Sequence, residues 1–305
     1  MAAYGGLQDS APRAGVISLH ARAEGVEPTS WEDPSLAQIW FRGADYIVPR
    51  DDVGVFTLGS LPRDADRVRA LEEIADAAHR FLDGRTLEVR EVREALALEQ
   101  PFLLRTAAAT GRLLIRWNAS RIWLIGNERP DIDPEDARLE LARRFLRWFG
   151  PVTRERFAWW AGVEPSEVKA TWKALDSELV PVELEGEPRY VLAADEDALV
   201  GAEPVEGMRL VPHSDPFIKI DGPLVVGNPE LRLEAFPPSK VKTAFWPVAG
   251  GLLVDGEIAG SWSRQQRRVT VNPWKRLTPS VRAAIEEEAL GFPIAAKSKA
   301  EVRWS

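Results

Sequence analysis

The side chains with the most chemistry for their spacing stand near the start of the chain: Gln8, Asp9 and Ser10, with Pro12 and Arg13 just beyond. An amide, a carboxylate and a hydroxyl at consecutive positions can together hold a water molecule or a polarised ligand. Pro12 suits the first turn of a helix, where its missing N–H costs nothing. Asp9 or Ser10 can cap that helix, and Val16, Leu19 and Ala23 then recur at helical spacing. The three polar side chains are therefore predicted at a loop-to-helix junction, facing a bound molecule. The same pattern also describes a plain capped helix with a solvated Gln8.

Other chemistries find little support. The chain has no Cys, which excludes disulfides and thiolate metal sites. Its three His (His20, His79, His213) lie far apart, so a His-based metal site is not expected, and no organic cofactor is implied. No phosphate-cradling loop, dinucleotide fingerprint or Gly-x-Ser-x-Gly elbow occurs. No charged-then-apolar leader and no run of 18 apolar residues appears, so a soluble, cytoplasmic protein without membrane contact is expected.

The elements that would position these residues repeat at an offset of 67. Residues 83–93 read as a turn and a helix, 101–110 as a second helix, and 112–117 with 121–125 as a hairpin around Asn118-Ala119-Ser120. Adding 67 gives a helix over 154–161 capped by Thr153, a helix over 167–178, and strands over 180–184 and 189–193. Subtracting 67 gives a helix over 35–41 and strands over 46–48 and 55–57. Connecting helices are predicted over 64–82 and over 134–149, the latter with Asp133 as cap and Pro134 at its first position. Helix, helix and hairpin is the order of a winged helix.

Beyond Gly207 the texture changes. Strands are predicted over 208–211, 217–220, 224–226, 231–235, 248–254, 257–262 and 268–271, suggesting a small barrel or sandwich. A closing helix follows over 278–290, capped by Thr278, and a loose tail over 296–305. The expected architecture is thus α+β. Winged-helix units span 1–62, 63–132 and 133–205, and a β-barrel-like domain spans 206–305. With one helix before that over 35–41, the first unit is expected to be short of an upstream helix at its N-terminus.

These parts together resemble the AlkZ-like and YcaQ-like DNA glycosylases, tandem winged-helix proteins with a C-terminal β-barrel. The resemblance rests on Gly6-Leu7-Gln8 with Pro12-Arg13, on Leu19-His20-Ala21-Arg22, and on the segment from Asp136 to Leu146 with Phe149-Gly150-Pro151-Val152-Thr153 after it. Phe157-Ala158-Trp159-Trp160-Ala161-Gly162, Asp215-Pro216-Phe217 and Gly260-Ser261-Trp262 complete it. It implies excision of alkylated bases, including unhooking of interstrand cross-links, from double-stranded DNA by a monomer. The family's catalytic motif is Gln-x-Gln or Gln-x-Asp. Gln8 falls on its first position and Ser10 on the last, while Asp9 takes the middle position, usually apolar. A catalytically inactive relative that binds DNA as a damage sensor or regulator is the alternative, and a winged-helix array for a protein or small-molecule partner is a third reading.

Net charge is −8, which argues against nonspecific coating of nucleic acid, yet basic strips remain. Arg112, Arg116 and Arg121 fall on the second hairpin, which suits phosphate or minor-groove contact and equally a solvated hairpin. Arg143 and Arg147 share one side of the 134–149 helix and can bind phosphate or pair with Glu140. With Arg13, these are the candidate DNA-binding residues. Trp159 and Trp160 read as core.

Overall fold

The computed structural model describes residues 5–11, 13–100, 102–118, 120–221, 226, 250–294 and 300–305. They form two compact units. One holds the first strand and Glu32–Gly201, the other Arg13–Trp31 and Ala202–Ser305.

The chain opens with β1 (Leu7–Gln8), passes through α1 (Ala14–His20) in the second unit, and returns for β2 (Leu36–Phe41) and β3 (Ala44–Pro49). The three strands form an antiparallel sheet in the order β1-β3-β2. The expected helix over 35–41 is thus a strand, and the expected strand over 55–57 lies in a helix, α2 (Val53–Leu58). Both segments are short apolar runs buried on more than one side, so neither shows a period that separates helix from strand. The deciding signal is Arg42-Gly43. Their φ values of 54° and 76° make the two-residue turn that suits the right-handed twist of a hairpin.

The predicted 67-residue repeat survives downstream. First come α3 (Ala65–Leu82), β4 (Thr86–Glu88), α4 (Val89–Ala95), α5 (Leu103–Ala107), β5 (Leu113–Trp117) and β6 (Ile122–Gly126), with the sheet ordered β4-β6-β5. Then come α6 (Pro134–Phe149), α7 (Arg154–Ala161), α8 (Pro165–Ala174), β7 (Leu179–Leu184) and β8 (Glu187–Leu192), with Val152 bridged to Tyr190 where β4 stood in the first round. A short helix, α9 (Glu196–Val200), ends the unit. Each round reads helix, strand or bridge, helix, helix, hairpin.

The caps fall where the side chains dictate. Asp64 accepts from the amides of Asp66 and Arg67, Asp133 from Glu135, and Thr153 from Arg156. Ala75, Ala78 and Leu82 of α3 meet Leu104, Leu113, Ile115 and Leu124 in one core. A second core is aromatic. Trp160 touches the rings of Phe41, Phe56, Phe145 and Phe157 at centroid distances of 5.0–6.3 Å, tying the first hairpin to α6 and α7.

In the second unit, β9 (Met208–Val211), β10 (Gly250–Val254), β11 (Glu257–Gln265), β12 (Arg268–Pro273) and β13 (Glu301–Trp304) form a five-stranded sheet in the order β13-β12-β11-β10-β9. Among the described residues no strand pair closes this sheet into the expected barrel. The tail expected to be loose supplies its edge strand, β13, parallel to β12. Alternating Val302 and Trp304 pack on the core there. The strand expected over 217–220 is a helix, α10 (Pro216–Asp221): Pro216 occupies its first turn and the Asp215 carboxylate accepts from the Phe217 amide. The strand expected over 231–235 and parts of those over 224–226 and 248–254 lie outside the described residues. The closing helix, α11 (Pro279–Leu290), is capped by Thr278 as expected and buries Ile285 and Ala289 against the sheet.

Candidate active site

Gly5 and Gly6 enter β1 with φ of 70° and 68°. A Cβ on Gly6 would stand 3.1 Å from the Phe56 ring and 3.2 Å from the Tyr46 ring, so glycine is needed here for both backbone and space. Gln8 then pairs with Tyr46 across the strands. Gln8 therefore ends an edge strand, and Asp9 and Ser10 lie in the loop between that strand and the helix. The helix begins only at Ala14, with Arg13 as N-cap at φ 64° and no side-chain cap, so neither Asp9 nor Ser10 caps it.

Hydrogen bonding separates the three polar residues into two sets. Gln8 and Ser10 share one side: Gln8 Nε2 lies 3.3 Å from Ser10 Oγ, and Ser10 is exposed. The Tyr46 hydroxyl donates to Gln8 Oε1 at 3.3 Å. The Asp45 amide donates to Ser10 Oγ at 3.3 Å. Asp9 turns the other way and is fully buried. Its amide bonds the Asp45 carbonyl at 2.9 Å, and its carboxylate accepts from Gln38 Nε2 at 3.3 Å. Gln38 in turn accepts from the Trp117 amide at 2.7 Å, so the middle residue of the motif is anchored through Gln38 to β5. Asp9 is thus a partner of the sheet interior and does not join Gln8 and Ser10.

Burial pushes the Asp45 carboxyl up to about 6, with Arg105 pulling it back, and its Oδ1 has no hydrogen-bond partner among the described residues. Burial also raises the Tyr46 phenol, with Arg42 beside it acting in the opposite sense, so Tyr46 is a protonated donor at neutral pH. Gln8 can neither take a proton nor attack; an amide offers a dipole, a carbonyl acceptor and N–H donors. The arrangement suits charge stabilisation and placement of water. Among the described residues no cluster of three or more His, Asp or Glu side chains is placed to hold a metal.

The arginines singled out from sequence do not gather around Gln8. Arg112 pairs with Asp76 at 3.0 Å, Arg116 with Glu32 at 2.5 Å and Arg121 with Glu88 at 2.6 Å. Arg143 makes two 2.8 Å bonds to Glu178, and Arg147 reaches Asp195 at 3.3 Å. Arg13, in the second unit, stacks over Trp31 at 4.0 Å. Trp160 is core as expected, but Trp159 is half-buried, with Arg42 and Arg156 over its ring at 4.5 and 5.3 Å. Sequence reading missed Tyr46, Arg42, Gln38 and Asp45. Only the strand register brings them to the motif, and the positive-φ turn at Arg42-Gly43 was its one local signal.

A model of the AlkZ-like DNA glycosylase family matches residues 1–292. The chain belongs to the AlkZ-like DNA glycosylase family. Among curated proteins it is similar to an interstrand DNA cross-link repair glycosylase of Streptomyces sahachiroi, at 25% identity over 162 residues. That alignment takes in 52% of this chain and 42% of the relative's length. Among solved structures the chain matches the Streptomyces sahachiroi DNA glycosylase AlkZ with a TM-score of 0.75 and 21% identity, over 98% of this chain and 91% of that one. The AlkZ-like fold therefore runs through both units. Two of its segments that are far apart in sequence meet in the second unit: Arg22 and Asp215 form a bidentate pair at 2.7 Å with Asp215 fully buried.

Proposed function

We propose that the chain is a monofunctional DNA glycosylase acting on alkylated or cross-linked duplex DNA. The observation that carries this reading is the Gln8 amide, fixed on the rim of β1 with Ser10 at 3.3 Å. An N7-alkylated purine carries a positive charge and leaves as a neutral base without a general acid. The protein must then stabilise the oxocarbenium-like sugar and hold a water beside it. Gln8 serves both needs through its carbonyl dipole and its N–H, and Ser10 completes the water's site. No Lys precedes Lys169 in the chain, so the sequence around the motif does not suggest a Schiff-base step. The two helix–strand–helix–helix–hairpin rounds serve as winged helices. Their exposed ion pairs, each worth about 0.2–1 kcal/mol, exchange carboxylate for phosphate.

Ser10, where the family motif places Gln or Asp, favours a second reading: a relative that binds damaged DNA without releasing the base. Base release from a duplex carrying N7-methylguanine, and from a nitrogen-mustard cross-linked duplex, decides between them. The glycosylase reading expects release that is lost in Gln8→Ala. Retained binding with no release supports the second reading.

A further inference from the structure

The β1–β3 pairing sets the direction of the Gln8 amide as well as its position. Tyr46 stands directly opposite Gln8, is 4% exposed, and has its ring edge-on to Phe41 at 5.2 Å. Its hydroxyl, the Gln8 amide and the Ser10 hydroxyl form a chain with successive separations of 3.3 Å, and the Asp45 amide closes the far end at 3.3 Å.

The two ends decide which way the chain runs. At one end the buried phenol has a single proton, and Gln8 Oε1, which can only accept, stands 3.3 Å away to receive it. At the other end the Asp45 N–H is only a donor. Ser10 Oγ thus accepts from Asp45 and from Gln8 Nε2, and its own proton points out of the chain, on the exposed side. A flipped Gln8 amide would set its N–H against Tyr46 and strand a buried phenol proton. A terminal amide torsion is otherwise broad and two-fold, so the protein must supply this preference.

We propose that Tyr46 is the positioning residue that holds the Gln8 amide in the one orientation used in base release. The proposal rests on the glycosylase reading of Gln8. Tyr46→Phe keeps the ring and removes only the hydroxyl. In single-turnover base release from an N7-methylguanine duplex at saturating protein, Tyr46→Phe lowers the rate about 10- to 100-fold, with the dissociation constant for the duplex unchanged. A Tyr46→Phe rate equal to wild type, or a rate loss explained by weaker duplex binding, overturns the proposal. Gly6→Ala, whose Cβ would stand 3.2 Å from the Tyr46 ring and displace its hydroxyl from Gln8, lowers the rate in the same direction and serves if Tyr46→Phe fails to fold.

A wild type that releases no base overturns the glycosylase reading alone, and the orientation is then read directly. The Gln8 side-chain N–H pair, assigned in a nitrogen–proton correlation spectrum by its loss in Gln8→Ala, moves toward solvent-exposed values in Tyr46→Phe. A pair that stays in place overturns the proposal.

Discussion

Burial of Asp45 gives the first sheet a pH dependence. Its carboxyl is raised from about 3.8 to about 6 in the folded state, so the stability it contributes is full below pH 3.8 and is lost as pH rises through 6. The loss amounts to about 3 kcal/mol. In urea unfolding, Asp45→Asn therefore gains on wild type between pH 4 and pH 7, approaching that value; a difference constant with pH would contradict the assignment. Ser10→Ala removes the acceptor shared by Gln8 and the Asp45 amide, and is expected to slow base release about 10-fold, while Gln8→Ala abolishes it. At this scale the sequence displayed half of the candidate site. Gln8 and Ser10, two apart as the motif implies, meet through the Gln8 amide at 3.3 Å. Asp9 stood between them, and nothing local said that it faces inward to Gln38. Tyr46 lies 38 residues away and becomes a partner only through strand register, which no local pattern encodes.

At the level of elements, the long helices were legible because their signals are local. Asp133 with Pro134, Asp64 and Thr278 each announce a start, and the caps form as the side chains require. The short apolar segments were not legible, since β2 and α2 are buried on several sides and carry no period. The edge strand β13 was hidden in a polar tail, because one face of an edge strand is solvated. Two predictions belong here. Arg22, just past α1, and Asp215, in the turn before α10, are bound to each other within the second unit, and Asp215→Ala takes the carboxylate away from a half-buried guanidinium. It is expected to cost about 3–5 kcal/mol, seen as a lower urea midpoint, with Arg22→Ala costing a similar amount. A loss under 1 kcal/mol would contradict a buried, desolvated pair. Gly6→Ala at φ 68° forces both a left-handed backbone and a displaced Tyr46 ring. It is expected to destabilise by about 1–2 kcal/mol and to slow base release with Tyr46.

For the molecule as a whole, the acidic net charge and the paired arginines set how DNA would be held. Arg116 and Arg121 stand on the β5–β6 hairpin and its turn with carboxylate partners on the surface, so phosphates compete with Glu32 and Glu88 for them. Each phosphate contact contributes about 0.9 to the slope of log affinity against log salt. Replacing both arginines by Ala is expected to lower that slope by up to about 2; an unchanged slope would remove this hairpin from the DNA surface. The 67-residue repeat was the large-scale feature most legible in the sequence, because equal spacing survives even where single elements are misread. The closure of the C-terminal strands was not, since counting short strands does not say whether the first pairs with the last.

The most direct test is single-turnover release of N7-methylguanine from a duplex, comparing wild type with Gln8→Ala at equal DNA occupancy. Release by the wild type and its loss in Gln8→Ala is the predicted result. Bound duplex with no release from the wild type, or equal release from both proteins, would contradict the role given to Gln8.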